Sequence, residues 1–135
     1  MKSLLHLILV FITISSSCQN QETIKQFSLS YKAQTRGFIY KINIHKDTLE
    51  INNNGIIKNS VLNNHQLSEI ENLVSNLNFN EIKSNISIAD LAVDKAIEGV
   101  FTTYINDNEQ LIKIDHNNRP IQLSELFNKL EEYVE

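Results

Sequence analysis

The chain predicts an α+β fold: a two-layer sandwich in which an antiparallel sheet of about five strands carries two helices on one face. Three observations carry that prediction. Hydrophobicity alternates with period two through the first half of the mature chain, then switches to a helical period around residues 65–78, and returns to a helical stripe at 123–134. The β-patterned runs are joined by links too short for a parallel crossover, so neighbouring strands must be antiparallel.

The elements follow in order. Phe27, Leu29, Tyr31 and Ala33 fall on one side of a strand and Gln26, Ser28, Ser30 and Lys32 on the other, the signature of a half-buried strand. Gln34-Thr35-Arg36-Gly37 interrupts the pattern, which resumes with Phe38, Tyr40, Ile42 and Ile44 against Lys41, Asn43 and His45. Two such runs joined by a short glycine-containing link make a hairpin. Lys46-Asp47 forms the next turn, residues 48–51 open a third strand, and Asn52-Asn53-Asn54-Gly55 is a strong turn because Asn and Gly tolerate positive φ. Residues 56–62 form a short fourth strand. Leu67, Ile70, Leu73, Val74 and Leu77 then make an apolar helical face, and Asn63 with Gln66 three residues on is a capping box. Phe79 and Ile82 anchor an otherwise loop-like stretch, with a helical turn at 88–93. Residues 97–106 read as a strand, Asp107-Asn108 as a turn, and 110–116 as the returning strand. Pro120 opens the last helix, whose stripe is Leu123, Leu126, Phe127, Leu130 and Val134 with Glu125, Glu131 and Glu132 off it. The order is β-β-β-(β)-α-β-β-α.

The N-terminal segment carries an address. Lys2, an apolar run over residues 4–14, and Ser15-Ser16-Ser17 before Cys18 are the three parts of a secretory signal. The run is shorter than the roughly 20 residues that a membrane span requires. Ile14-Ser15-Ser16-Ser17-Cys18 is similar to a bacterial lipobox, although Ser15 stands where a larger aliphatic residue is usual. The expected organisation is a signal peptide at 1–17, a lipidated tether at 18–23 and one α+β domain at 24–135. Ordinary secretory cleavage, leaving Cys18 as a free thiol, is the alternative. Fatty acyl chains contribute about 0.8 kcal/mol per buried methylene, so two or three anchor stably.

Cleavage before Cys18 removes one of the 12 basic residues and none of the 16 acidic ones, taking the net charge from −4 to −5. Such a balance excludes nucleic acid and anionic lipid headgroups as partners, since both need clustered positive charge. Cys18 is the only cysteine, so no disulfide is expected within the domain. Gly37, Gly55 and Gly99 are isolated, which excludes a glycine-rich phosphate loop.

Few residues offer chemistry. His45 lies on the polar side of its strand, His65 at a helix start, and His116 in phase with Ile112 and Ile114. No pair at metal-ligand spacing accompanies them, so neither metal nor cofactor is expected. Asp115-His116 with Arg119 is the densest polar cluster and can act as a general base or bind an anion. Adjacent strand residues point to opposite sides, however, so Asp115 does not orient His116, and no nucleophile elbow is present. Asp90, Asp94 and Glu98 share a spacing of four, which reads as a solvated acidic edge. Arg36 and Arg119 are the only arginines and the expected contacts for a carboxylate or other anion. Asp47-Thr48-Leu49 is similar to the Asp-(Ser/Thr)-aliphatic site of O-glycosylated envelope proteins in Bacteroidota-type bacteria, which marks Thr48.

Ser30-Tyr31-Lys32-Ala33-Gln34-Thr35-Arg36-Gly37-Phe38, with Asp94-Lys95-Ala96 and Asp115-His116-Asn117 later, resembles a group of small uncharacterised lipoproteins of the Bacteroidota. Lys95 and Asn117 stand where that group carries glycine. The resemblance implies an envelope location and a compact α+β fold, and no activity. The expected function is therefore a non-catalytic protein-binding module, of the immunity, inhibitor or accessory-subunit type, lipid-anchored to the bacterial outer membrane on its periplasmic or surface side. Arg36, His45, His116 and Arg119 are its candidate partner-binding residues. The alternative is a small envelope hydrolase using His116 with Arg119 or an acidic partner.

Overall fold

A computed structural model describes residues 27–82, 86, 91 and 96–135. Six strands form one open antiparallel sheet: β1 (Phe27–Gln34), β2 (Ile39–His45), β3 (Thr48–Asn53), β4 (Ile56–Val61), β5 (Glu98–Ile105) and β6 (Asn108–Asp115). Their spatial order is β4-β3-β2-β1-β5-β6. Two helices, α1 (Asn64–Ser75) and α2 (Ile121–Glu132), lie over one side of it. The α+β sandwich is the expected one, with six strands where about five were expected, because β4 is a full partner of β3 along its length.

Turn chemistry sets the register. Asn54 and Gly55 take φ of 51° and 89°, and Asn106 and Asp107 take 48° and 65°. Two consecutive residues with positive φ make the tight turn whose twist matches antiparallel strands. The β5–β6 turn thus falls one residue earlier than the sequence predicts, and Asn108 already pairs with Ile105. In the Asn63 capping box, the side chain accepts from the Gln66 N–H at 3.0 Å and the Asn63 N–H donates to Gln66 Oε1 at 2.9 Å. That reciprocal cap fixes where α1 starts, and the helix ends at Ser75, three residues short of the predicted end.

The core lies between the sheet and the helices. Leu29, Tyr31, Ile42, Ile44, Leu49 and Phe101 from the strands meet Ile70, Val74, Leu123, Leu126, Phe127 and Leu130 from the helices, all buried. An aromatic file crosses it, with ring centroids of Tyr31 and Phe127 4.6 Å apart, Phe127 and Phe101 6.2 Å, and Phe101 and Phe79 6.3 Å. Thr103 is a buried polar residue of this layer, and its hydroxyl donates to the Ser28 carbonyl at 3.2 Å. Lys129 of α2 bridges Glu69 of α1 at 3.4 Å and Glu132 at 3.1 Å, while Tyr133 donates to Glu69. A half-exposed bridge of this kind contributes little, so apolar burial holds the helices down. The opposite side of the sheet is uncovered, as antiparallel sheets permit.

Glu98 lies in β5 and pairs with Lys113 at 3.3 Å. Asp90, Asp94 and the helical turn expected at 88–93 fall outside the described residues, apart from Leu91, which is helical. Among the described residues no helix is long and apolar enough to cross a membrane.

Truncating Phe127 to alanine removes a ring that touches both Tyr31 and Phe101. Its expected cost is about 3–5 kcal/mol. Alanine at the exposed Ile57 should stay within about 0.5 kcal/mol of wild type. Urea unfolding of both variants checks the contrast.

Candidate functional site

At one end of the sheet, on the helix side, two small residues sit side by side. Ala33 of β1 pairs with Tyr40 of β2 on one side and Gly99 of β5 on the other. The result is a dent between larger neighbours, and Tyr31, two residues back on β1, leans its ring into it. A β-carbon built on Gly99 would stand 2.6 Å from Tyr31 Cζ and overlap the hydroxyl. Glycine at this position is thus a packing requirement, since only a residue without Cβ lets the phenol lie against the backbone.

His116 completes the arrangement. It follows β6 in a short 3₁₀ turn (His116–Asn118), tied back by its own N–H to the Ile97 carbonyl at 2.8 Å. Tyr31 hydroxyl and His116 Nδ1 share a hydrogen bond of 2.9 Å. The imidazole is ringed by Phe38, Tyr40 and Tyr31, with centroids at 5.0, 5.2 and 5.8 Å. Tyr40 in turn donates to Glu131 of α2. Arg119 lies over Phe127, 5.3 Å from the ring centroid, close enough for its charge to act on Tyr31, Tyr40 and His116. Asp115 does not orient the imidazole: its carboxylate accepts from the Asn117 and Ile97 N–H groups at 3.0 and 3.2 Å. It serves as the cap of the 3₁₀ turn.

The two phenols and the imidazole lie between charges of both signs, Arg119 on one hand and Glu131 and Asp115 on the other. Burial raises the Tyr31 phenol well above its ordinary value; burial and the bond to Glu131 do the same for Tyr40. Both stay protonated donors. Burial, then the Arg119 charge, lowers His116 below the usual imidazole value, so it is neutral at pH 7. A neutral imidazole accepting at Nδ1 from a phenol keeps its proton on Nε2. The hydroxyl bonded to it is the Tyr31 phenol. Among the described residues no group of three or more His, Cys, Asp or Glu side chains converges to hold a metal.

The four residues expected to bind a partner do not converge. His116 and Arg119 come together on the helix side. Arg36 is exposed in the β1–β2 turn, where it lines a shallow recess with Thr35, Phe38, Asn54 and Gly55. His45 is exposed at the far end of β2, on the uncovered side, opposite Ser28 and Thr48. Thr48 is exposed, its hydroxyl donating to Asp47 at 3.3 Å, while the following Leu49 is buried. Cys18 lies outside the described residues. Tyr31, Tyr40, Gly99 and Glu131 were not singled out by the sequence. Its one signal was Gly99, an isolated glycine inside a strand, which marks close approach of another group. Compared with protein-family models and with curated proteins, the chain matches none.

Gly99→Ala should cost about 1–3 kcal/mol through overpacking, with the Tyr31 ring displaced; thermal unfolding and the Tyr31 NMR shifts measure both. Tyr31→Phe strips His116 of its partner and should cost about 1–3 kcal/mol. The pH dependence has a definite sign. With His116 lowered in the folded state, the unfolded chain binds the proton first. Stability from this group is therefore complete above about pH 6.5 and declines as pH falls toward the folded value. A denaturation series against pH should lose that component in His116→Gln; an unchanged profile would contradict the assignment.

Proposed function

We propose that the protein is a non-catalytic protein-binding module, lipid-anchored through Cys18 in a bacterial envelope, and that the uncovered side of its sheet is the partner surface. The observation that carries this reading is the commitment of His116. Its Nδ1 is bonded to Tyr31, its half-buried ring is flanked by Phe38, Tyr40 and Tyr31, and burial favours the neutral form. A general base needs a proton-bearing nucleophile within hydrogen-bond reach, and here the group in reach is a phenol held protonated. The cluster instead pins the β6–α2 connection to β1 and β2, and so stiffens the sheet from the helix side.

The opposite side supports a binding role. Ser30, Lys32, Asn43, His45 and Glu50 of β1–β3 are exposed there, and Lys41, Thr102 and Tyr104 are half-exposed. These side chains stand on paired strands with a single register, so a partner finds them in place and little ordering entropy is lost on docking. They are hydroxyl, amide, imidazole and charged groups with one aromatic, Tyr104, which suits a polar, hydrogen-bonding contact. The second reading is a small hydrolase using His116 with Arg119. It draws on the placement of those two side chains in one cluster.

The test is affinity capture from detergent-solubilised envelopes, with Lys32→Glu/Lys41→Glu/His45→Glu as the surface variant. Wild type should retain a partner that the variant loses by at least about tenfold, with both chains equally folded. Capture unchanged by the surface variant, or no capture above a Cys18→Ala control, sinks the reading. Ester or glycan hydrolysis abolished by His116→Ala would establish the second reading in its place. Intact mass of the native protein tests the anchor: an acylated Cys18 N-terminus is expected.

A further inference from the structure

The two edges of the sheet are built differently, and the difference points to an association. Leu62 N–H donates to the Asp47 carbonyl at 2.7 Å. Hydrogen-bonded and non-bonded pairs alternate along an antiparallel ladder. Ser60, Lys58 and Ile56 therefore turn their backbone groups toward β3, and Val61, Asn59 and Ile57 turn theirs outward. The same argument on β6 starts from His116 N–H to Ile97 carbonyl at 2.8 Å. There the outward residues are Glu109, Leu111, Lys113 and Asp115. Edge strands are normally protected from pairing by charge, proline or bulges. β6 has three charged residues at its outward positions. β4 has none, no proline, and a continuous six-residue register with β3. Its apolar residues are open to solvent as well, with Ile56, Ile57 and Val61 exposed by 70%, 55% and 73%.

We propose that β4 is a homodimerisation edge: two copies pair β4 antiparallel about a twofold axis at Asn59, joining their sheets. This register satisfies every outward backbone group of the strand, with Asn59 opposite its own copy and Ile57 opposite Val61 in both halves. Ile57 and Val61 share the uncovered side of the sheet, since their partners Asn52 and Thr48 alternate with buried Leu49 and Ile51. Two apolar cross-strand pairs thus form on one side. At the axis, an amide side chain can donate to and accept from its own copy, which neither a carboxylate nor an ammonium group can do. On the helix side Lys58 falls opposite Ser60, and Glu131 and Glu135 line the same groove as Lys58. Shifting the axis to Lys58 would place two like charges directly opposite and leave Val61 without a strand partner.

The self-complementarity of this register argues for a second copy over a foreign strand, because a twofold interface needs the same patch to fit itself. Five paired residues per copy, 57–61, bury well under the roughly 800 Å² per partner of a standard interface, so the dimer is weak, with a dissociation constant on the order of micromolar. The inference does not depend on the partner surface proposed above.

Sedimentation equilibrium of the full chain in detergent, from low to high micromolar concentration, is the test. Wild type should show a reversible monomer–dimer equilibrium. Ile57→Lys sets a charge at an outward position and should weaken it at least about tenfold. Asn59→Pro deletes the central outward N–H without touching an inward bond and should abolish it. Both variants should melt as the wild-type monomer does, and Ile57→Lys keeps the test decisive if proline perturbs folding. Leu111→Lys, on the other edge, should leave the dimer intact. A wild type that stays monomeric throughout overturns the proposal. So does a dimer that survives both β4 substitutions, one that Leu111→Lys dissolves, or open-ended assembly in place of a dimer.

Discussion

Among the described residues, two helices lie over a sheet six strands wide, and they are too few to cover all of it. Strands lie about 4.8 Å apart and a helix with its side chains is about 10 Å across. Two helices side by side therefore shelter about four strands. The shelter falls on β1, β2, β3 and β5, whose helix-side residues are almost all buried, while β4 is exposed along nearly its whole length. The placement of the core, the bare side of the sheet and the open edge all follow from this shortfall.

Within the sheltered region, side-chain size decides what else can be built. The adjacent small residues Ala33 and Gly99 leave space that Tyr31 and His116 occupy. A hydroxyl and an imidazole enter an apolar layer at this point. Each would be costly alone, and each satisfies the other. Tyr40 and Glu131 repeat the arrangement next to them, tying α2 to β2. No buried side-chain nitrogen or oxygen among the described residues lacks a partner. The polar groups here bind the loop and last helix to the sheet.

Much of this was legible in the chain. Period-two alternation located β1, β2 and β3, and the Asn-Gly pair at 54–55 located the turn that sets β4 against β3. The capping box located the start of α1. These features rest on interactions between residues a few positions apart, which sequence displays directly. The β5–β6 turn was displaced by one residue because Asn106, Asp107 and Asn108 are all tolerant of positive φ, and only pairing along the whole ladder chooses among them. The stripe of α2 was clear and Glu131 fell off it; its contact with Tyr40 spans 91 positions.

Local pattern by itself determined which residues form strands and helices and which side of each is apolar. Those outcomes depend on backbone geometry and on the two periodicities of regular structure. Tertiary structure alone decided that β5 inserts beside β1, that Tyr31 reaches His116 across 85 positions, and that β4 rather than β6 is left unguarded. Such outcomes turn on which distant surfaces meet and on how much area two helices can hide, quantities that no window of sequence contains.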